Sequence, residues 1–167
     1  MYNEKIIPVF IEAIHEETAL VKRFTLKAMD GAILPSFSSG SHIITYIEGQ
    51  NGMISRPYSL TNYSEKPDRY QIAIRLSDNS RGGSLYWHQH VKVGDNLYIS
   101  FPKNHFPLSF KAKHHVFYAA GIGITPFLSM MTELQEQGAS FELHYAAKTR
   151  ESCAFYSNIK EKYGGRS

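Results

Sequence analysis

The sequence predicts a mainly β protein: an antiparallel barrel of six strands over residues 1–109, followed over 110–167 by the start of an α/β unit. Three observations carry that expectation. Up to about Leu108 the chain reads as short runs rich in β-branched and aromatic residues, broken by turn residues. After Leu108 the pattern changes to an apolar run, a glycine-rich turn and a segment with helical spacing. Between the two, SLYWHQHV breaks the strand pattern just after Gly82-Gly83 and reads as a short helix or turn.

The six runs are KIIPVFIEAI, ALVKRFTLKA, HIITYIE, RPYSLTN, YQIAIRL and DNLYISF. MDGA, SFSSG, EGQNGM, SEKPD and DNSRGG separate them with the residues that turns favour. Strands at this spacing suit an antiparallel barrel or sandwich. In the second part HHVFYAA is a strand candidate, and FLSMMTELQEQ a helix that Gly138 stops. FELHYAAK follows as a strand, and ESCAFYSNIKEKYG as a second helix that contains Cys153 and ends near Gly164. This β-α-β-α order opens a parallel, doubly wound sheet. Two strands are few for such a sheet, so the chain is expected to be a fragment of a longer protein or a natural truncation. An unfinished sheet edge also makes a homodimer plausible.

Composition narrows the classes. Hydrophobic residues make up 43% of the chain and charged residues 20%, the balance of an ordinary globular protein. Net charge is +3 with no basic block, which argues against nucleic acid. The single cysteine, Cys153, excludes a disulfide framework and any four-cysteine iron–sulfur or zinc site within the chain. The eight histidines show no metal-ligand spacing, so no metal site is expected. No apolar run is long enough for a membrane span and the N-terminus lacks a secretion signal, so a cytoplasmic protein with no membrane partner is the expectation.

Three short motifs could carry chemistry. In RPYSL, Arg56 offers a guanidinium fork for phosphate, Tyr58 a ring for stacking, and Ser59 a hydroxyl or backbone N–H. Alternation along a strand puts Arg56 and Tyr58 on one face and Ser59 on the other. The plainer reading of this pentapeptide alone is an amphipathic strand with an exposed arginine. In SRGGS, Gly82 and Gly83 allow a close backbone approach, and Ser84 could open a helix whose first amides face an anion. A flexible hairpin loop would look the same. In GIGITP, Gly121 and Gly123 permit a tight strand–helix turn, and Pro126 suits a first helical turn. With Pro126 at the third glycine position, the dinucleotide fingerprint is incomplete.

Taken in order, R-x-Y-S at 56–59, G-G-S at 82–84 and G-x-G-x-T-P at 121–126 resemble the ferredoxin–NADP reductase superfamily of flavin reductases. RGGS followed by VKVGDNLYISFPKNHFPL looks like the branch of phthalate dioxygenase reductase and vanillate demethylase reductase. The resemblance implies a flavin-binding barrel followed by the start of a nucleotide-binding domain. It implies that Arg56 pairs with the flavin phosphate, Tyr58 packs on the ring, Ser59 sits near N5, and Leu60 completes that contact. Gly82, Gly83 and Ser84 would bind the phosphate, and Ile74 and Arg75 would lie along the flavin. Gly121, Gly123, Thr125 and Pro126 would shape the nicotinamide–pyrophosphate site. Ser59 and Thr125 would flank the reacting rings.

The branch further implies FMN, with FAD as the alternative, and NADH or NADPH as substrate. Electrons would pass to an iron–sulfur acceptor outside the chain, of the kind found in Rieske-type oxygenases and demethylases. The branch's cysteine-rich segments have no match here. A non-catalytic flavin-binding or interaction module is therefore the alternative function, and a barrel that binds no cofactor comes third.

Overall fold

A computed structural model describes residues 5–165. The first part forms β1 (Ile6–Thr18), β2 (Val21–Ala28), β3 (His42–Gly49), β4 (Gly52–Ser59), β5 (Tyr70–Arg75), α1 (Gly83–Gln89) and β6 (Asn96–Ser100). Its six strands make one antiparallel sheet in the order β4-β3-β6-β1-β2-β5. The inward rows of β1, β2, β3, β5 and β6 supply most of the apolar core. Val9, Ile11, Phe24, Leu26, Ile43, Ile72 and Ile99 are completely buried, as alternation on a curved sheet requires.

The edge strands β4 and β5 are joined at one end by side-chain chemistry. Thr61 N–H donates to Gln71 O at 2.8 Å, and Asn62 Oδ1 accepts from Gln71 N–H at 2.9 Å. Asn62 thereby replaces a missing ladder bond, a role its short amide suits. Within SLYWHQHV the residue that matters most is Trp87. It is fully buried and sets its ring edge-on to Phe24, with centroids 4.8 Å apart, which fixes α1 over the barrel.

The second part forms β7 (His114–Ala120), a 3₁₀-helix (Gly121–Ile124), α2 (Thr125–Glu136), β8 (Ser140–Ala146) and α3 (Tyr156–Tyr163). β7 and β8 pair in parallel. Phe117 and Ala119 face inward onto a core with Ile124, Leu128, Met130, Met131 and Leu134 of the turn and α2. Val21 and Ala73 of the barrel join that core, and β5 meets the 3₁₀-helix, so the barrel packs against the second unit. No helix among the described residues is long and apolar enough to cross a membrane.

Two local expectations need correction. β4 begins at Gly52, so Gly52 and Met53 belong to the strand instead of the loop EGQNGM, Ile54 and Ser55 extend it, and Leu60 to Asn62 leave it. The last helix begins only at Tyr156, and Cys153 lies in the turns before it. Phe155 adopts a left-handed φ of 64°, which a helix interior does not tolerate. The expected tight strand–helix turn at GIGI is wound into the 3₁₀-helix.

Candidate functional site

Arg56 and Tyr58 stand on the same row of β4 as Ile54. Their cross-strand partners Thr45, Ile43 and Ile47 are buried, so this row faces the barrel interior at its mouth. The Arg56 side chain reaches α1. A Cβ built on Gly83 would stand 3.0 Å from Arg56 Nε, so glycine gives the arginine side chain room to lie against the loop backbone. Arg56 Nη1 also donates to Ser55 O at 2.7 Å. Gly82 takes a φ of 93°, the left-handed conformation that turns the chain into α1. The amides of Gly83 and Ser84 follow, at the helix end that leaves N–H groups without intrahelical partners.

The loop is pinned from within. Ser84 Oγ accepts from Ser77 N–H at 3.1 Å, which fixes the hydroxyl and leaves its proton to donate. Tyr86 O–H donates to Glu48 O at 3.0 Å and ties α1 to the β3–β4 hairpin. Between hairpin and helix lies a cleft of about 420 Å³, lined by Met53, Arg56, Arg81, Gly82 and Tyr86 among others.

Tyr58 sets its ring at 78° to Trp87, with centroids 5.9 Å apart. Burial pushes its hydroxyl up to about 12, and the charge of Arg56 offsets part of that rise. Ser59 turns the other way. Leu60 N–H bonds Ser41 O at 2.9 Å, and Arg56 O accepts from Thr45 Oγ1 at 3.1 Å, so those backbone groups point toward β3. Alternation directs the N–H and C=O of Ser59 to the free edge of the sheet. Leu60 itself is buried in the core.

A second cleft, of about 810 Å³, lies at the seam of the two sheets. Leu20, Arg75, Gly121, Ile122 and Lys148 are among its lining residues. The structure thus brings Arg56 together with Gly82 and Gly83, and Arg75 together with Gly121. Ile74 is core, and its carbonyl bonds His88 Nε2 at 2.8 Å, so only its backbone lies near the edge. Thr125 is buried and donates its hydroxyl to Ile122 O at 3.2 Å, stabilising the turn. Pro126 occupies the first turn of α2, and Gly123 is exposed beside it. Ser59 and Thr125 line neither cleft.

Sequence reading gave no role to Arg81, Tyr86 or Trp87. Arg81 was in view within SRGGS, and a second arginine beside a Gly-Gly pair was the available signal. Trp87 carried only the mark of being the one tryptophan in the chain.

The structure thus packs an antiparallel barrel, whose β4 arginine lies against a Gly-Gly helix start, on a parallel β-α-β unit. No protein-family model matches the chain. The carnitine monooxygenase reductase subunit of Escherichia coli is 48% identical over 95% of this chain and 50% of its own length. The vanillate O-demethylase oxidoreductase of Acinetobacter baylyi is 42% identical over 93% of this chain and 48% of its own. A solved structure of phthalate dioxygenase reductase, described as modular for electron transfer from pyridine nucleotides to a 2Fe–2S centre, superimposes with a TM-score of 0.87. It shares 35% sequence identity and covers 93% of this chain and 48% of that one. Over nearly its whole length the chain is similar to these reductases, phthalate dioxygenase reductase and vanillate O-demethylase oxidoreductase among them. It spans about half the length of the curated relatives it matches.

Proposed function

We propose that the chain is the flavin-carrying part of an NAD(P)H-dependent reductase that supplies an oxygenase or demethylase, with residues 1–109 as the flavin domain and 110–167 as the start of the nucleotide domain. The observation that carries this reading is the contact of Arg56 with Gly83, which places a guanidinium against a glycine pair at a helix start. That arrangement fits a terminal phosphate and supports FMN over FAD. Arg56 would hold the phosphate charge, and the amides of Gly83 and Ser84 would donate to its oxygens. Tyr58, held rigid by Trp87, would pack against the ring, and the edge-directed amide of Ser59 would face N5. Bound there, FMN would supply the redox chemistry, accepting hydride from NADH or NADPH and passing electrons singly onward. Gly121 and the first turn of α2 would hold the nicotinamide nucleotide in the seam cleft, with Arg75 at its wall. Such a role needs no acid–base pair from the protein.

The acceptor we assign is an iron–sulfur centre of the Rieske type on another domain or subunit, with the protein working in the cytoplasm. The names of the relatives, reductase components of a carnitine monooxygenase and a vanillate O-demethylase, support the acceptor's class. The free edges of the β7–β8 pair leave room for a homodimer. Purified protein tests the reading: a yellow sample that releases FMN on denaturation is expected. A colourless protein that takes up neither FMN nor FAD contradicts it. Bound FMN without NADH–ferricyanide turnover assigns the chain to a flavin-binding module instead.

A further inference from the structure

Glu133 is a buried carboxylate outside both clefts, only 8% exposed, and no cation among the described residues pairs with it. Such a group is costly unless hydrogen bonds satisfy it. Here three neutral donors do so. Ser39 Oγ–H donates to Oε2, Tyr63 O–H donates to Oε1 at 3.1 Å, and Gln137 Nε2 approaches the same oxygen at 3.4 Å. Ser39 precedes β3 and Tyr63 follows β4, whereas Glu133 belongs to α2. The carboxylate therefore joins the barrel to the second unit.

One turn earlier on the same helix face, Ser129 makes a parallel link. Its Oγ accepts from Gly40 N–H at 3.0 Å and its hydroxyl donates to Pro126 O at 3.0 Å. Gly40 takes a φ of 87°, and a Cβ there would meet Phe106 O at 2.2 Å and Met130 Cε at 2.6 Å. The loop is thus pressed onto α2 as closely as backbone allows. Asn104 Nδ2 braces it from behind, bonding Ser38 Oγ at 2.7 Å and Ser39 O at 2.9 Å. The Tyr63 hydroxyl is held up to about 12, first by burial and then by the nearby Glu133.

We infer that Glu133 is a positioning residue, which fixes α2 on the barrel through Ser39 and Tyr63 and thereby sets the place of the Gly121–Pro126 turn relative to β4. The effect on hydride transfer rests on the function proposed above; the docking role does not. A displacement of that turn would misalign nicotinamide and flavin without touching the phosphate grip of Arg56.

The test compares wild type, Glu133→Ala and Glu133→Gln. In Glu133→Ala, backbone amides of 38–41 and 125–136 should exchange with deuterium faster, while β1 and β2 stay protected. Its FMN affinity and its reduction by dithionite should match wild type, and reduction of bound FMN by NADH should slow by roughly tenfold to a hundredfold. Gln keeps an acceptor for Tyr63 and gains a donor for Ser39, so Glu133→Gln should restore NADH reduction to within about threefold of wild type. Wild-type exchange in Glu133→Ala overturns the inference, as does faster exchange with unchanged reduction by NADH. Should wild type take up no flavin, the function proposed above falls, and exchange alone decides the docking role. Ser39→Ala, which removes one donor and keeps the carboxylate, serves if Glu133→Ala does not fold; unchanged exchange there overturns the inference too.

Discussion

The barrel sets its candidate phosphate grip on an edge strand backed by a filled core, whereas the β7–β8 pair buries one face and shows the other to solvent. Arg56 lies in a row with Ile54 and Tyr58, over a cluster that includes Phe24, Ile43 and Trp87. On the β7–β8 pair, Phe117 and Ala119 are covered by α2, but Tyr118 is 73% exposed and Val116 43%. The difference teaches where rigidity comes from. In the barrel, the Tyr58 ring is braced from behind by Trp87. In the second unit the turn Gly121–Pro126 is held by its own hydrogen bonds and by the seam with the barrel.

The sharpest way to break this contrast is to remove the brace. Trp87→Ala should destabilise the protein by about 3–5 kcal/mol, since it empties a fully buried ring site. Urea unfolding should show it, and FMN affinity should fall along with stability. Alkaline titration comes next. Tyr58 and Tyr63 are held up to about 12, against 10 for free tyrosine. Between those values the unfolded chain loses protons that the folded chain keeps, so stability present below pH 10 is lost as pH rises toward 12. Tyrosinate absorbance should then appear together with unfolding instead of ahead of it. At the small end, Tyr118→Ala removes an exposed ring stacked on His144, with centroids 4.7 Å apart. It should change stability by no more than about 0.5 kcal/mol, and a larger loss would mean that this face is covered in solution.

The strands were legible because their alternation and turn residues are local signals, and all six barrel runs became strands. The helix around Trp87 and the parallel pair were equally visible. What escaped was decided by backbone geometry and by distant partners. Nothing in ESCAFYSNIKEKYG marks Phe155 as left-handed, yet that conformation moves the helix start to Tyr156. Arg56 and Gly83 were both singled out, but their contact spans 27 positions of sequence and depends on Trp87 seating α1 (Arg56 to Gly83). Ser39, Tyr63 and Glu133 come from three segments, and no local pattern links them. Ile74 shows the opposite limit: a residue placed beside the flavin by resemblance has its side chain in the core.

The phosphate grip is the central claim, and paired titrations of FMN and riboflavin into wild type and Arg56→Ala test it most directly. Loss of a charge-assisted contact should weaken FMN binding by roughly tenfold to a hundredfold and leave riboflavin, which has no phosphate, unchanged. Equal loss for both ligands, or no loss for either, would contradict it.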